Sequence, residues 1–446
     1  MALKQLKDTI RKTTDPLEAA ILANDYFPLQ KSLNYPDKVN LIWKDLRFRV
    51  YPRSIDVKSE ITFLLYSKAC ERLLVPLILN LLNQSEVKER GIQINVVVLF
   101  GIHRLQLSSD NLQQLHKLGC QIQTDYFSLI RACHQPQQKL VVLCLDHRKP
   151  YIYHHWGVNT VDTLKRFGVK TLSIQHGGTR ADSVEDLASA ASDIVLVWGK
   201  RVYREIVEKY GGNPQRFRVV GNPLHDRLAM LEHTQIRQRF INCYPEASTQ
   251  LDQKRVILLA SCLHSEYRGM GDEMQMYRDY IRHIYNSIDF SQILLLVKMH
   301  PLDTLEPNLY RQGIPSDQGE DSIIIIEPTV TELDIYSLLA LSELLITRAS
   351  TVAEEALLMR KKVISFDLLS EGPSKSYKHL EEYGSYTTVY AMPNNQLNQA
   401  ISSILLEQSS DRAQQSSFIE EELTYALDGN STNRAVNEIL MYLLND

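Results

Sequence analysis

The stretch VKTLSIQHGG, residues 169–178, is a short apolar strand that runs directly into a histidine and two glycines. Open α/β sheets carry their chemistry just beyond the carboxyl ends of the strands. Histidine is the side chain most readily tuned for proton transfer near neutral pH, and Gly177 and Gly178 allow a sharp turn and a close approach. His176 is therefore a candidate general base. The alternative is a histidine that caps the strand and bonds a backbone carbonyl.

Length and composition indicate a globular protein of two domains. The chain has 446 residues, 44% of them hydrophobic, and a formal net charge of -4 at pH 7. This length exceeds the size at which a single core stops growing, so two domains of roughly 200 residues are expected. The charge balance, without any basic block, argues against a protein devoted to nucleic acid.

Cysteine usage and the first residues predict a cytoplasmic protein. The six cysteines form no CxxC pair, which suits a reducing compartment, and Cys144 and Cys262 lie in apolar runs where a thiol acts as a small core residue. We find no secretory signal and no run of about 18 apolar residues. The basic segment through Arg11 and Lys12 is compatible with peripheral contact at the inner membrane face or with a solvated helix face.

Short apolar runs rich in β-formers alternate with helical patterns, which indicates βαβ units. Several runs are continuously apolar, as in parallel strands buried on both faces. The predicted strands are 61–66, 94–100, 140–145, 170–174, 194–198, 217–220, 256–261, 293–299, 322–326, 344–347, 362–366 and 386–390. The main helical patterns are 71–83, 161–167, 202–210, 272–288, 332–341 and 352–359.

A polar, helical stretch over 228–254 separates two series of strands. We therefore predict an N-terminal Rossmann-like domain over 1–228 and a C-terminal Rossmann-like domain over 250–446, which ends in three helices after Asn395. Two tandem doubly wound domains that face a central cleft are the simplest architecture. The absence of GxGxxG and GxxxxGK[ST] argues against ordinary dinucleotide dehydrogenases and P-loop NTPases.

The strand ILLLVKMHP, residues 293–301, ends in groups suited to an anion. Lys298 and His300 are two residues apart, so they share one face of an extended strand, and Pro301 stops the strand. Two donors at a strand tip suit a phosphate oxygen. The alternative is a surface lysine beside a structural histidine.

The segment LLITRASTVAEEAL, residues 344–357, passes from a strand into a helix that begins at Ser350 or Thr351. Free N–H groups and the positive end of the helix dipole make this an anion site. Arg348 precedes it, and Glu355 could accept from both hydroxyls of a ribose. The alternative is an ordinary capping box. Together with the preceding strand tip, the segment favours a site for a nucleoside mono- or diphosphate.

Metal-independent chemistry is expected, because the chain has no Asp-x-Asp and only His154-His155 as a weak zinc-type pair. The negative charge of a leaving phosphate would then be stabilised by Lys298, His300, Arg348 and the helix start. No cofactor is predicted.

Other polar residues follow the strands of the first domain. Asp182 could orient the ring of His176 or act as an alternative base, although a solvated loop or helix start also explains it. Asp226 follows a Gly-Asn-Pro turn and could cap the next helix. We place these further residues at the cleft: Gln175, Gly177, Gly178, Arg180, Gly221, Asn222 and Asp226.

Four motifs in this order carry a family resemblance: Gln-His-Gly (175–177), Gly-Asn-Pro-x-x-Asp (221–226), Lys-x-His-Pro (298–301) and Ser-Thr-x-x-x-Glu-Ala (350–356). The set resembles GT-B glycosyltransferases of bacterial surface-polysaccharide synthesis. It looks most like the group that holds capsule Kdo and sialic acid transferases and CDP-glycerol glycerophosphotransferases. Hydrolysing UDP-N-acetylglucosamine 2-epimerases share this architecture. The resemblance covers residues from about 140 to about 370.

The resemblance implies a metal-independent glycosyltransferase that moves a sugar from a nucleotide-activated donor, with a CMP-sugar favoured, to a glycan or lipid-linked glycan acceptor. It makes 1–228 the acceptor domain, with His176 as general base, and 250–446 the nucleotide-sugar donor domain, with His300 at the donor phosphate. Ser350 and Thr351 would bind phosphate, and Glu355 would hold the ribose. The alternatives are a hydrolysing 2-epimerase, a CDP-glycerol-type transferase and a non-catalytic member that binds a sugar nucleotide.

Overall fold

The computed structural model describes residues 60–103, 109–123, 138–148, 155–260, 272–300, 307–314, 320–330, 332–370, 373–392, 396–406 and 412–444. The chain divides into two units. The first comprises Met1–His176, Val184–Asp226 and Asn430–Asp446, and the second comprises Gly177–Ser183 and Arg227–Gly429. The basic segment with Arg11 and Lys12 lies outside the described residues, so its membrane contact stays a prediction.

The first unit is built on a seven-stranded parallel sheet in the order β3-β2-β1-β4-β5-β6-β7. Its central strands are buried on both faces, and Leu140, Val141, Val142 and Leu143 are all fully covered. The strands are β1 (Ile61–Ser67), β2 (Ile94–His103), β3 (Gln121–Gln123), β4 (Leu140–Leu143), β5 (Lys170–Ile174), β6 (Ile194–Val197) and β7 (Phe217–Val219). The helices are α1 (Lys68–Asn83), α2 (Ser85–Arg90), α3 (Ser109–Lys117), α4 (His155–Arg166), α5 (Ala181–Ala188) and α6 (Lys200–Arg204), which a π turn (Glu205–Lys209) extends.

The second unit is built on a six-stranded parallel sheet in the order β10-β9-β8-β11-β12-β13. Its strands are β8 (Arg255–Ala260), β9 (Ile293–Lys298), β10 (Ile323–Ile326), β11 (Leu344–Thr347), β12 (Lys362–Asp367) and β13 (Tyr386–Tyr390). The helices are α7 (His233–Cys243), α8 (Ser248–Gln253), α9 (Glu273–Tyr285), α10 (Pro307–Gln312), α11 (Ile335–Leu341), α12 (Val352–Leu358), α13 (Leu397–Leu406) and α14 (Arg412–Thr424). Short 3₁₀ segments lie at Pro214–Arg216, Pro223–Met230, Pro245–Ala247, Glu320–Ser322 and Pro373–Tyr383.

All twelve predicted strands are confirmed, and the doubly wound α/β class with them. In each sheet the strand order reverses direction once, between β1 and β4 in the first and between β8 and β11 in the second. Sheets of this type bind ligands at that switch point, just outside the carboxyl ends of the strands. The topology therefore marks one candidate position in each unit.

The domain boundaries differ from the predicted ones. The stretch 228–254 belongs to the second unit, because α7 buries Ile236 and Phe240 in the core of that unit. The last helix, α15 (Ser431–Leu444), belongs to the first unit rather than to a domain over 250–446. Its apolar face, which includes Ile439 and Leu443, is buried in the first core beside α1.

Asp226 anchors α15 to the first unit. Its two carboxylate oxygens accept from the backbone N–H groups of Ser431 at 2.7 Å and Thr432 at 2.8 Å. These donors are among the free N–H groups of a helix start, so the carboxylate satisfies them and complements the dipole. Asp226 thus caps a helix, as predicted, but the helix lies 205 residues later in the chain rather than directly after it.

We expect Asp226→Ala to lower the free energy of unfolding of the first unit by about 2 kcal/mol, at the upper end for loss of a helix cap. The loss is near that end because both N–H groups lie at a buried junction. Urea denaturation followed by circular dichroism measures it. Asp226→Asn keeps one acceptor oxygen and serves as the matched control with a smaller loss. An alanine variant as stable as the parent protein would contradict the anchoring role.

Two further observations concern the described residues only. Among the described residues, no helix is both long and apolar enough to cross a membrane. In the same part of the chain, no group of three or more His, Cys, Asp or Glu side chains is placed to hold a metal ion.

Candidate functional site

His176 stands directly after β5, where the opening motif leaves the first sheet. The preceding residue, Gln175, is buried and ties two strand ends together, because its Oε1 accepts from the backbone N–H of Trp198 at 2.9 Å. His176 itself is half-buried. Its ring centroid lies 5.4 Å from that of His147, which follows β4 and is buried. Two imidazoles therefore occupy neighbouring strand ends of the first sheet.

A network of hydrogen bonds around Asp146 holds the chain next to these imidazoles. The buried carboxylate of Asp146 accepts from the hydroxyl of Ser173 at 2.6 Å, and from the backbone N–H and the hydroxyl of Ser192 at 2.8 and 2.6 Å. Charge-assisted hydrogen bonds of this kind are shorter and stronger than neutral ones. Asp146 thus fixes the chain immediately before His147.

The Gly-Asn-Pro segment has a structural role in the first unit. Gly221 has a φ of +89°, a conformation that favours glycine. Asn222 accepts from the backbone N–H of Leu224 at 3.0 Å, and its Nδ2 lies 2.9 Å from Nε2 of His225. Burial lowers the pKa of His225 to about 3, so its neutral ring accepts this bond. Gly221, Asn222 and Asp226 therefore build the junction with α15.

Arg180 and Asp182 pair with each other at the start of α5. The carboxylate of Asp182 accepts from Nε and Nη2 of Arg180 at 2.6 and 2.7 Å, and from the backbone N–H of Ser183 at 2.9 Å. Both side chains are exposed to a third or more of their surface. This arrangement corresponds to the helix-start alternative for Asp182, whose role as a base stays untested.

The segment Gly177–Ser183, which follows His176 in the chain, is held on the second unit by a carboxylate that the sequence analysis did not select. Glu354 is buried in α12, and its Oε1 accepts from the backbone N–H and the hydroxyl of Thr179 at 2.6 and 3.0 Å. The same hydroxyl lies 2.8 Å from Nε2 of His379. Since Oγ1 donates to Glu354, it accepts from His379. This clamp fixes the glycine segment at the start of α12.

Gly178 fits this clamp because it has no side chain. A Cβ atom there would lie 2.2 Å from Oε1 of Glu354 and 2.9 Å from Cγ2 of Thr351. At Gly177, by contrast, the nearest atom would be Oγ of Ser183 at 3.7 Å, an ordinary contact. The second glycine of the motif is therefore required for close packing against α12, and the first is not.

We expect Gly178→Ala to destabilise the second unit by about 1–3 kcal/mol, the usual cost of overpacking. The added methyl group must push the Glu354 carboxylate away from Thr179. Thermal unfolding measures the loss, and Gly177→Ala is the matched control because its methyl group meets no close atom. Equal stability of the two variants would argue against the clamp.

The Lys-x-His tip ends β9 as predicted, while Pro301 lies outside the described residues. Lys298 and His300 are both half-buried. The Lys298 ammonium donates to the carbonyl of Val330 at 3.4 Å. Burial lowers the pKa of Lys298, and the negative charge of Asp334 partly offsets the effect. The tip of β9 is two strand spacings from that of β11, about 10 Å.

The Ser-Thr motif lies at the switch point of the second sheet, where β11 passes into α12. Ser350 and Thr351 are half-buried, and Oγ of Ser350 accepts weakly from the backbone N–H of Val352 at 3.4 Å. Thr351 is the N-cap residue, without a side-chain bond to the helix. Glu355 is nearly buried and accepts from the hydroxyl of Tyr336 at 3.2 Å. Its contact with a ribose stays a prediction.

Arg348 is buried in the second unit, and its predicted contact with a phosphate stays a prediction. Its side chain is 0% exposed and its Nη2 donates to Oδ1 of Asp367 at 3.0 Å. The guanidinium also lies 5.5 Å from the ring centroid of Tyr280. The described position is that of a core ion pair.

Glu354, Thr179 and His379 are the residues that sequence reasoning missed. The capping-box pattern contains two adjacent glutamates, and the sequence does not indicate which of them faces the glycine segment. Thr179 directly follows Gly178, so its place beside the histidine motif could have marked it as a candidate site residue. His379 lies in a 3₁₀ segment without any motif around it.

No family model and no curated protein matches this sequence. Solved structures do match it over most of its length. UDP-GlcNAc 2-epimerase from Neisseria meningitidis bound to UDP-GlcNAc has a TM-score of 0.55 at 13% identity, covering 85% of this chain and 100% of that chain. S. aureus MnaA with UDP has a TM-score of 0.54 at 16% identity and coverages of 86% and 97%. A glycosyltransferase from Rickettsia africae has a TM-score of 0.51 at 12% identity and coverages of 87% and 100%.

The chain has a GT-B-type α/β fold. Identities this low establish the fold alone, so they support the architecture that the four motifs implied. The finer resemblance, to capsule Kdo and sialic acid transferases or CDP-glycerol transferases, stays a prediction.

Proposed function

We propose that this protein is a metal-independent enzyme acting on a nucleotide-activated sugar, and that it transfers the sugar to a glycan acceptor in cell-surface polysaccharide synthesis. One observation carries the proposal. The glycine segment of the histidine motif is clamped by Glu354 to the start of α12, beside Ser350 and Thr351 at the switch point of the second sheet. Two motifs that are more than 170 residues apart thus meet where such sheets bind nucleotides.

The donor side of the reaction uses the polar groups at the carboxyl edge of the second sheet. We propose that Ser350 and Thr351 bind the nucleotide phosphate through hydroxyl and backbone N–H groups. Lys298 and His300 then stabilise the charge that develops on the leaving phosphate. Glu355, whose Oε1 accepts from the hydroxyl of Tyr336, is the residue that we propose to hold the ribose.

The acceptor side uses His176 as general base. In the proposed step the ring takes the proton of the acceptor hydroxyl, and the hydroxyl oxygen attacks the anomeric carbon of the donor sugar. The bond from that carbon to the phosphate oxygen breaks, and the electron pair leaves with the nucleotide. A neutral imidazole is required for this step, which suits operation near neutral pH.

Thermal shift with CMP, CDP, UDP, GDP and TDP tests the nucleotide site. We expect one of them, at 100 times its dissociation constant, to stabilise the protein by about 2.7 kcal/mol. The sequence resemblance favours CMP, and two neighbours were solved with UDP or UDP-GlcNAc. Failure of all five nucleotides would contradict the proposal.

A hydrolysing 2-epimerase is the second candidate, and the neighbours named as UDP-GlcNAc 2-epimerases favour it. Such an enzyme needs no acceptor. Incubation with UDP-GlcNAc alone would then release UDP and free sugar at a rate independent of added glycan. A transferase would instead need the acceptor for turnover, so the acceptor dependence separates the two candidates.

A further inference from the structure

Two cysteines meet at the switch point of the first sheet. Cys70 lies in the first turn of α1, directly after β1, and Cys144 directly follows β4. These strands are parallel neighbours, with Ile61 paired to Leu140. The two Sγ atoms are 2.9 Å apart and both residues are fully buried. A disulfide bond is about 2.04 Å long, so the sulfurs stand less than about 1 Å from bonding distance.

The surroundings hold this pair in place and keep the thiol of Cys144 protonated. Burial raises the pKa of Cys144 well above its usual value, and the hydrogen bond with Cys70 and the negative charge of Asp146 act in the same direction. The carboxylate of Asp146 is itself fixed by Ser173 and Ser192. Buried protonated thiols react slowly, so the pair is stable as a dithiol until a local opening admits a small oxidant.

The other described cysteines show what is special about the pair. Cys120 is buried as well, and burial raises its pKa to about 12, but no sulfur of another described residue contacts it. Cys243 is exposed on α7. Cys133 and Cys262 lie outside the described residues. Within the part of the chain that the structure describes, only Cys70 and Cys144 are in sulfur–sulfur contact.

We propose that Cys70 and Cys144 are a redox-sensitive dithiol site that a peroxide converts into a reversible intramolecular disulfide. In the first step one thiol loses its proton and its sulfur attacks an oxygen of hydrogen peroxide. The O–O bond breaks, which gives a sulfenic acid and one water. The second sulfur then attacks the sulfenic sulfur, and the oxygen leaves as a second water with the remaining proton. Two thiols are oxidised and one peroxide is reduced to two waters.

The disulfide would tie the start of α1 to the end of β4. Because it closes a loop of 74 residues between the two cysteines, it restricts the unfolded chain and raises the unfolding temperature. It also fixes the edge of the sheet that leads to Asp146 and His147. The proposal does not depend on the proposed function, since the sulfur contact lies within the first unit and needs no sugar nucleotide.

Full-length protein treated with hydrogen peroxide, alkylated and digested tests the proposal by mass spectrometry. We expect one cross-linked peptide that joins Cys70 to Cys144 and disappears on treatment with dithiothreitol. The chain has six cysteines, so titration of thiols in denaturant should fall from six to four in the Cys70–Cys144 product. Unfolding without reductant should occur at a higher temperature after oxidation.

Cys243→Ser is the matched control, because it removes an exposed thiol and should leave the cross-link unchanged. Cys144→Ala should abolish the cross-linked peptide. If this variant folds poorly, the result with the parent protein still tests the proposal. Oxidation of Cys243 without any Cys70–Cys144 peptide would overturn the proposal. A cross-link that forms only in urea would overturn it as well, because the site would then not belong to the folded protein.

Discussion

Replacing His176 with alanine is expected to lower sugar transfer by about 10²–10⁴-fold, the contribution of a positioned general base. The residue stands at the carboxyl end of β5, half-buried, with the ring of His147 at 5.4 Å. A methyl group cannot take the acceptor proton, so the chemical step slows. Binding of the nucleotide should survive, because Ser350 and Thr351, which we propose to bind its phosphate, are unchanged. The rate of sugar transfer is measured with a donor that carries the nucleotide identified by thermal shift. The nucleotide-induced thermal shift of the variant measures binding.

His116→Ala is the control for this experiment, since it removes an exposed histidine of α3 from the same unit. It should leave both turnover and nucleotide binding at parent levels. If His176→Ala retains full turnover, His176 is the strand-end histidine of the alternative interpretation. Loss of the nucleotide-induced shift together with turnover would instead indicate that the variant disturbs the fold.

The sheets could be predicted from sequence because their central strands are apolar on both faces. The run at 140–143 is apolar throughout and the run at 293–298 is apolar up to its final lysine, which is typical of a parallel strand buried on both faces. The short edge strand β3, Gln121–Gln123, was missed because two of its three residues are glutamines and it has neighbours on one side only. Local pattern thus predicts a strand where the run is apolar and misses a short polar run, although Ile122 and Gln123 are buried.

The contacts of the candidate site were harder to predict, because they join residues far apart in the chain. Asp226 was expected to cap a nearby helix, and its partners are Ser431 and Thr432. Glu355 was chosen over Glu354 by motif position, although helix geometry turns adjacent side chains about 100° apart. Only the packing of α12 against the glycine segment shows which carboxylate holds Thr179.

Arg348 illustrates the same difficulty, and its replacement should have the largest effect on stability. We expect Arg348→Met to lower the free energy of unfolding of the second unit by about 3–5 kcal/mol, the cost of breaking a buried ion pair. The loss arises because the buried carboxylate of Asp367 would lose the guanidinium that donates to it. Urea denaturation measures it.

The controls for Arg348 separate a core role from a phosphate role. Arg255→Met removes an exposed partner of Glu343 and should cost about 0–1 kcal/mol, as surface pairs do. The double variant Arg348→Met/Asp367→Leu should recover much of the lost stability, because apolar pairs of similar volume often replace buried ion pairs without cost. If Arg348 contacts phosphate instead, the single variant would abolish the nucleotide-induced shift at unchanged stability. Recovery in the double variant therefore assigns Arg348 to the core, since a phosphate ligand could not be restored by leucine at position 367.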